Sequence, residues 1–188
     1  MKKIKRFATM FLTLISMFSL LMVSNVSAMP AYNMKLQDGI RNQYCWFDSS
    51  VSGYWSTPYY NGINRWYNTS TWFSFTPTTN HFISRLDFYT YYNTTDRING
   101  FCDYFLSGGA TPNPNVQNWL YCEIYMNRYA LQNTTTEEDT GLVLHEIGHA
   151  MGFLHYTLSL DSVMFDSLIS RPKYPTQIDV NAVNVKYP

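Results

Sequence analysis

The sequence predicts a single α+β domain, and three features of its patterning carry that prediction. Residues 40–130 are dense in Tyr, Trp, Phe, Asn and Thr, a mixture that suits strands joined by polar turns. One segment inside that region, Pro58 to Asn68, instead places Tyr59, Ile63 and Trp66 at helical spacing. In the last third of the chain the apolar residues recur every three or four positions, as they do on helices.

Strands are predicted near 42–48 (Asn-Gln-Tyr-Cys-Trp-Phe-Asp), 71–76 (Thr-Trp-Phe-Ser-Phe-Thr) and 85–92 (Arg-Leu-Asp-Phe-Tyr-Thr-Tyr-Tyr), with two more near 100–106 and 119–126. The aromatic excess admits a carbohydrate-binding surface, but core and sheet packing accounts for it more simply. A second helix begins at a capping box, either Thr136 with Asp139 or Thr135 with Glu138, and acidic residues at 137–139 suit the positive end of its dipole. Leu142, Val143, Leu144, Ile147, Ala150 and Met151 give it a broad apolar surface until Gly152 offers a stop. A last helix is expected from about Thr176 to Lys186, with Ile178, Ala182 and Val185 at helical spacing.

The 13 basic and 13 acidic residues cancel, but they are unevenly placed. Lys2, Lys3, Lys5 and Arg6 precede an apolar stretch from Phe7 to Val23, and Val26-Ser27-Ala28 follows as a small-residue cleavage site. That order is that of a secretory signal over 1–28, with cleavage near Ala28 and an extracellular product. Interrupted by Thr9, Thr13, Ser16 and Ser19, the stretch is at the short limit for a membrane span. The remaining domain, 29–188, carries a net charge of about −4. It has no basic patch and no second apolar span, which argues against nucleic acid as a partner and against integral membrane association. A domain of about 160 residues can build a core without a disulfide framework, and three cysteines close at most one bridge. Asn68, Asn93 and Asn133 each open an Asn-x-Ser/Thr triplet, which matters only where the source glycosylates by that route.

Three of the four histidines fall in the run His145-Glu146-Ile147-Gly148-His149-Ala150-Met151-Gly152-Phe153-Leu154-His155. Four helical residues make about 400° of rotation and about 6 Å of rise, so His145 and His149 project from one face, one turn apart. An unbroken helix would carry His155 to another face. Gly152, free to adopt a left-handed conformation, lets the chain leave the helix and fold His155 back toward the same point. Three imidazoles with an open fourth position make a catalytic zinc site rather than a structural one, which four protein ligands would close. Glu146 stands beside the first ligand, where a carboxylate can take a proton from a zinc-activated water and pass it to the leaving amine. The five fixed positions would coincide by chance on the order of 10⁻⁶ per chain.

The run His-Glu-x-x-His-x-x-Gly-x-x-His resembles the signature of the metzincin zinc endopeptidases, and from Val143 to His155 it looks most like the matrixin branch. The resemblance implies one catalytic zinc ion on His145, His149 and His155, with Glu146 as general base and acid. It also implies a methionine turn beneath the metal, for which Ser162-Val163-Met164 is the match, and a closing helix in the stretch 174–184. Stretched over the whole domain, it implies a twisted, mostly parallel five-stranded mixed sheet. The segment near 100–110 would be the antiparallel edge strand over the cleft, with 119–126 beside it and the active-site and C-terminal helices completing the fold. An extended protein or peptide substrate would pair with that edge.

The departures are equally specific. No Pro-Arg-Cys-Gly-type switch is present, and Cys45 sits among strand residues rather than in a zinc-inhibiting segment. His81 stands alone, as a loop residue, without the His-x-Asp arrangement of a structural zinc. Phe165-Asp166 follows Met164, with neither a proline nor the tyrosine of astacin-like relatives. Calcium sites are not legible. Cys102 and Cys122 are the candidate disulfide if their strands are neighbours; the alternative is three buried thiols. Two other functions share the sequence: a secreted aromatic-rich binding module with a vestigial or structural zinc site, and zinc chemistry on a non-peptide amide.

Overall fold

In the computed structural model, which describes residues 28–188, the aromatic runs form five strands of one sheet. These are β1 (Gln43–Phe47), β2 (Phe75–Pro77), β3 (Leu86–Tyr91), β4 (Gly100–Phe105) and β5 (Tyr121–Asn127). Their spatial order is β2-β1-β3-β5-β4. β1 runs parallel to β2 and β3, β3 runs parallel to β5, and only the edge strand β4 is antiparallel. The sheet is therefore mixed and mostly parallel, as expected. The export segment expected over 1–28 lies, but for Ala28, outside the described residues, and among those described no helix is long and apolar enough to cross a membrane.

Among the described residues three α-helices complete the architecture: α1 (Ser56–Tyr67), α2 (Thr136–Ala150) and α3 (Gln177–Lys186). α1 and α2 pack against each other on one face of the sheet. Tyr59, Ile63 and Trp66 of α1 are buried there, and the Trp66 indole N–H donates to the carbonyl of Leu144 at 3.1 Å. Of the two capping boxes the sequence allows, the chain uses Thr135 with Glu138. The Thr135 N–H donates to Glu138 Oε2 at 2.7 Å, and the Glu138 N–H donates back to Thr135 Oγ1 at 3.2 Å. Residues 139–148 of α2 are buried all round, because α1, the sheet and the segment from Met151 to Tyr187 each cover part of its surface. A helix stretch so enclosed is mostly apolar on every face, and the polar side chains within 139–148 are those of the candidate site, Asp139 and Thr140.

Three expectations are corrected. The strand expected over 71–76 is displaced to Phe75–Pro77, because the Thr69 and Thr71 hydroxyls engage each other and the Phe73 N–H in a local turn, which competes with sheet pairing. Cys102 and Cys122 do lie on adjacent strands, but no bridge joins them, and all three cysteines are free thiols. Cys102 pairs with Ile124 and Cys122 with Tyr104; that diagonal offset separates Cα atoms by roughly 7–8 Å, beyond the usual reach of a disulfide. His81 is not alone: its Nε2 lies 2.9 Å from Oδ2 of the buried Asp87, and its ring packs on Trp46.

The aromatic excess also finds its place. On the face away from the helices, Tyr89, Tyr125 and Phe101 stack in a row, with centroids 4.8 and 4.7 Å apart and ring planes within 14° and 19°. The rings present their faces to each other and their edges to solvent. That is sheet packing rather than a flat platform for a sugar.

Cys45 lies in the middle of the core with no exposure, and burial pushes its thiol up to about 12. The unfolded chain releases this proton near pH 9, whereas the folded chain holds it to about pH 12. The native state thus binds the extra proton, and stability is lost as pH rises through that window, by about 4 kcal/mol in total. Chemical denaturation between pH 8 and 11 should therefore show a steeper alkaline loss for the unaltered protein than for Cys45→Ala; parallel curves would contradict this account.

Candidate metal centre

The site begins where α2 ends. Beyond the C-cap Met151, Gly152 adopts φ of +91°. The Gly152 N–H donates to the carbonyl of His149 at 2.7 Å, and the Phe153 N–H to that of Gly148 at 3.1 Å. This pair of bonds is a Schellman motif, which reverses the chain at a helix end. The last carbonyls of α2 are also satisfied by side chains. Tyr104 Oη donates to His149, Trp119 Nε1 to Ala150 and Tyr187 Oη to Met151, each at 3.0 Å. The turn is fixed from the sheet and from the chain terminus together, and it delivers His155 beside the two helical histidines, with ring centroids 5.0 Å from both.

Each helical imidazole is aimed by a backbone carbonyl. His145 Nδ1 donates to Val163 O and His149 Nδ1 to Phe153 O, both at 2.8 Å. A carbonyl only accepts, so both Nδ1 atoms carry the proton, and in the neutral ring Nε2 is left as a lone pair. These two Nε2 atoms face each other at 3.1 Å, a repulsive arrangement unless a cation lies between them. A proton does not serve, because burial holds His145 well below the usual imidazole range and His149 near 4. His155 presents Nδ1 to Asp166 Oδ2 at 3.4 Å, and ligand atoms of all three rings lie within 4.8 Å of one another. Tetrahedral zinc ligands at about 2.0–2.1 Å stand roughly 3.3–3.4 Å apart. The donor set therefore fits one zinc ion, held by His145, His149 and His155.

Beneath the histidines lies the methionine turn. Met164 is buried with its sulfur against Gly148, where any β-carbon would overlap it. Asp179, in the first turn of α3, fixes this turn from below. Its carboxylate accepts from Ser162 Oγ at 2.6 Å, from the Val163 N–H at 3.2 Å and from the Thr176 N–H at 2.7 Å. One buried carboxylate thus caps α3 and sets the carbonyl that orients His145. Sequence reasoning did not identify Asp179, although Thr176 three residues ahead of it is a capping-box spacing.

Glu146 projects into a cleft of about 790 Å³, whose walls include β4 from Gly100 to Tyr104, the three histidines, Asp166 and Arg171. Its carboxylate is buried and its Oε2 has no partner. Burial raises it to about 8, with Asp166 pushing up and Arg171 pulling down. An acceptor kept free and poised near neutrality beside a metal site can take and return a proton. Asp166, which the sequence marked only as a departure, touches His155, and Arg171 carried no sequence signal at all.

The reversal at Gly152 leaves no room for a side chain: a β-carbon there would meet the Trp119 ring at 2.9 Å and the Lys186 side chain at 2.8 Å, in a backbone conformation that disfavours L residues. Gly152→Ala should lower stability by about 2 kcal/mol or more and zinc affinity by roughly 10–100-fold. Thermal unfolding and competition with a chromophoric chelator would measure both. Unchanged zinc affinity would show that the return of His155 does not depend on this turn.

No family model and no curated protein sequence matches the chain. Among solved structures it is similar to high choriolytic enzyme 1, a hatching enzyme zinc-protease from Oryzias latipes (medaka fish). The identity is 18% and the TM-score 0.44, over 84% of this chain and 94% of that one.

Proposed function

We propose that the protein is a secreted zinc-dependent endopeptidase of the metzincin type, matrixin-like in its zinc-binding run. The observation that carries this reading is the pair of imidazole lone pairs facing each other at 3.1 Å, with the unpartnered carboxylate of Glu146 beside them in an open cleft. His145, His149 and His155 would hold the ion. Zinc in such a site polarises a carbonyl and lowers the pKa of water toward neutrality. Glu146 takes a proton from the attacking water and delivers it to the leaving amine, so that the nitrogen departs neutral. The edge strand β4 lines the cleft and gives an extended peptide a backbone to pair with. A structural metal site or a vestigial one has no use for a free buried carboxylate, whose desolvation costs stability.

The extracellular location rests on the basic N-terminus, the apolar stretch and Val26-Ser27-Ala28. Protein recovered from the medium of expressing cells should begin at Met29 on N-terminal sequencing; retention with an intact N-terminus would refute export.

Glu146→Gln should leave zinc bound at one ion per chain, measured by elemental analysis, while hydrolysis of casein or gelatin falls by at least about 10²-fold. Chelation should abolish the activity of the unaltered protein and zinc should restore it. Full activity in the variant, or in the metal-free protein, would remove Glu146 or zinc from the mechanism.

A further inference from the structure

The cleft contains a buried cationic group, Arg171, that no carboxylate among the described residues meets directly. Arg171 lies between the methionine turn and α3, is 5% exposed, and lines the cleft with His145, Glu146, His155 and Asp166. Its Nε donates to Ser167 O at 3.1 Å, but its Nη1 is buried with no acceptor. Among the described residues no carboxylate stands within ion-pair distance of it. Asp166 is beside His155 instead. Glu146 keeps an oxygen free in the same cleft without closing on the guanidinium, whose Nε is held by Ser167 O. Glu146 and Asp166 act on the guanidinium only across the cleft; a buried guanidinium without a direct ion pair is costly to keep, and its flat fork suits two parallel bonds to a carboxylate.

From this we infer that Arg171 receives a carboxylate of the substrate, which completes the ion pair that the protein leaves open. The inference rests on the peptidase reading and adds the substrate class. Leu142, on the cleft wall, offers apolar contact to the methylene groups leading to that carboxylate, and the exposed Arg97 at the rim adds a second positive charge on the approach. Two sources share the chemistry: an Asp or Glu side chain next to the bond that is cut, or the free carboxylate at the end of a chain.

The test uses fluorescein-labelled peptides in which Asp, Asn and Gly are scanned through each position, each made with a free and with an amidated C-terminus. Binding to zinc-loaded Glu146→Gln is read by anisotropy, and cleavage by the unaltered protein by mass spectrometry. Asp at one position should bind about tenfold or more tighter than Asn, or amidation should cost a similar factor; the first result assigns a side chain, the second a chain end. Arg171→Gln should bring that ratio close to one, and Arg171→Lys should retain part of it, with circular dichroism confirming the fold. Should Arg171→Gln not fold, the ratios of the Glu146→Gln protein decide. Equal binding of all peptides would overturn the inference even if they are cleaved, whereas a carboxylate preference without cleavage would leave it standing and remove the peptidase reading.

Discussion

The structure depends on the forced approach of two imidazole lone pairs. His145 and His149 stand one turn apart on a largely buried helix, each with its Nδ1–H committed to a carbonyl. Neither ring can turn away without leaving a buried N–H unpaired, a loss of about 1–3 kcal/mol each. The two facing Nε2 atoms therefore form a strained pocket for a cation. The carbonyls that impose the strain come from Val163 in the methionine turn and Phe153 just after the reversal, so the segment following α2 supplies both the third ligand and the means of aiming the first two.

That division of labour explains the close packing beneath the site. Met164 touches Gly148 with no space for a β-carbon, and Asp179 ties the turn to α3. The helix end is closed by Tyr104, Trp119 and Tyr187, from the edge strand, the lead into β5 and the end of the chain. Helix carbonyls that would otherwise need water are satisfied by rigid aromatic donors. The edge strand and the turn that carries His155 are thus joined through the same few hydrogen bonds.

Much of this was legible in the sequence. Helix period, capping boxes and Gly152 located α2 and its reversal, since these are local rules written in neighbouring residues. The five strands followed from aromatic runs, except that near 71–76, where threonine hydroxyls turned the chain before the sheet began. What the sequence could not disclose depends on contacts between distant residues. Asp179 acts on a turn 15 residues or more away in sequence, and the pairing of His81 with Asp87 exists only because a short turn folds over the sheet. The diagonal offset of Cys102 and Cys122 is a matter of register, which spacing along one strand does not determine.

The distribution of buried charge separates the groups that hold the fold from those available for chemistry. Asp139 and Asp179 are buried, and both are bound: Asp139 by Thr134 and Tyr54, Asp179 by the turn and the cap of α3. Burial still pushes both carboxyls upward, but the bonds oppose it, as expected of groups whose role is to fix backbone. Asp87, Glu146 and Arg171 each keep a buried polar atom without a partner, but only Glu146 and Arg171 open into the cleft. Among the described residues the fold leaves few buried side-chain polar atoms without a partner, and two of them open into this one cleft. The cleft is thus shaped by what it leaves unsatisfied as much as by the histidines that it brings together.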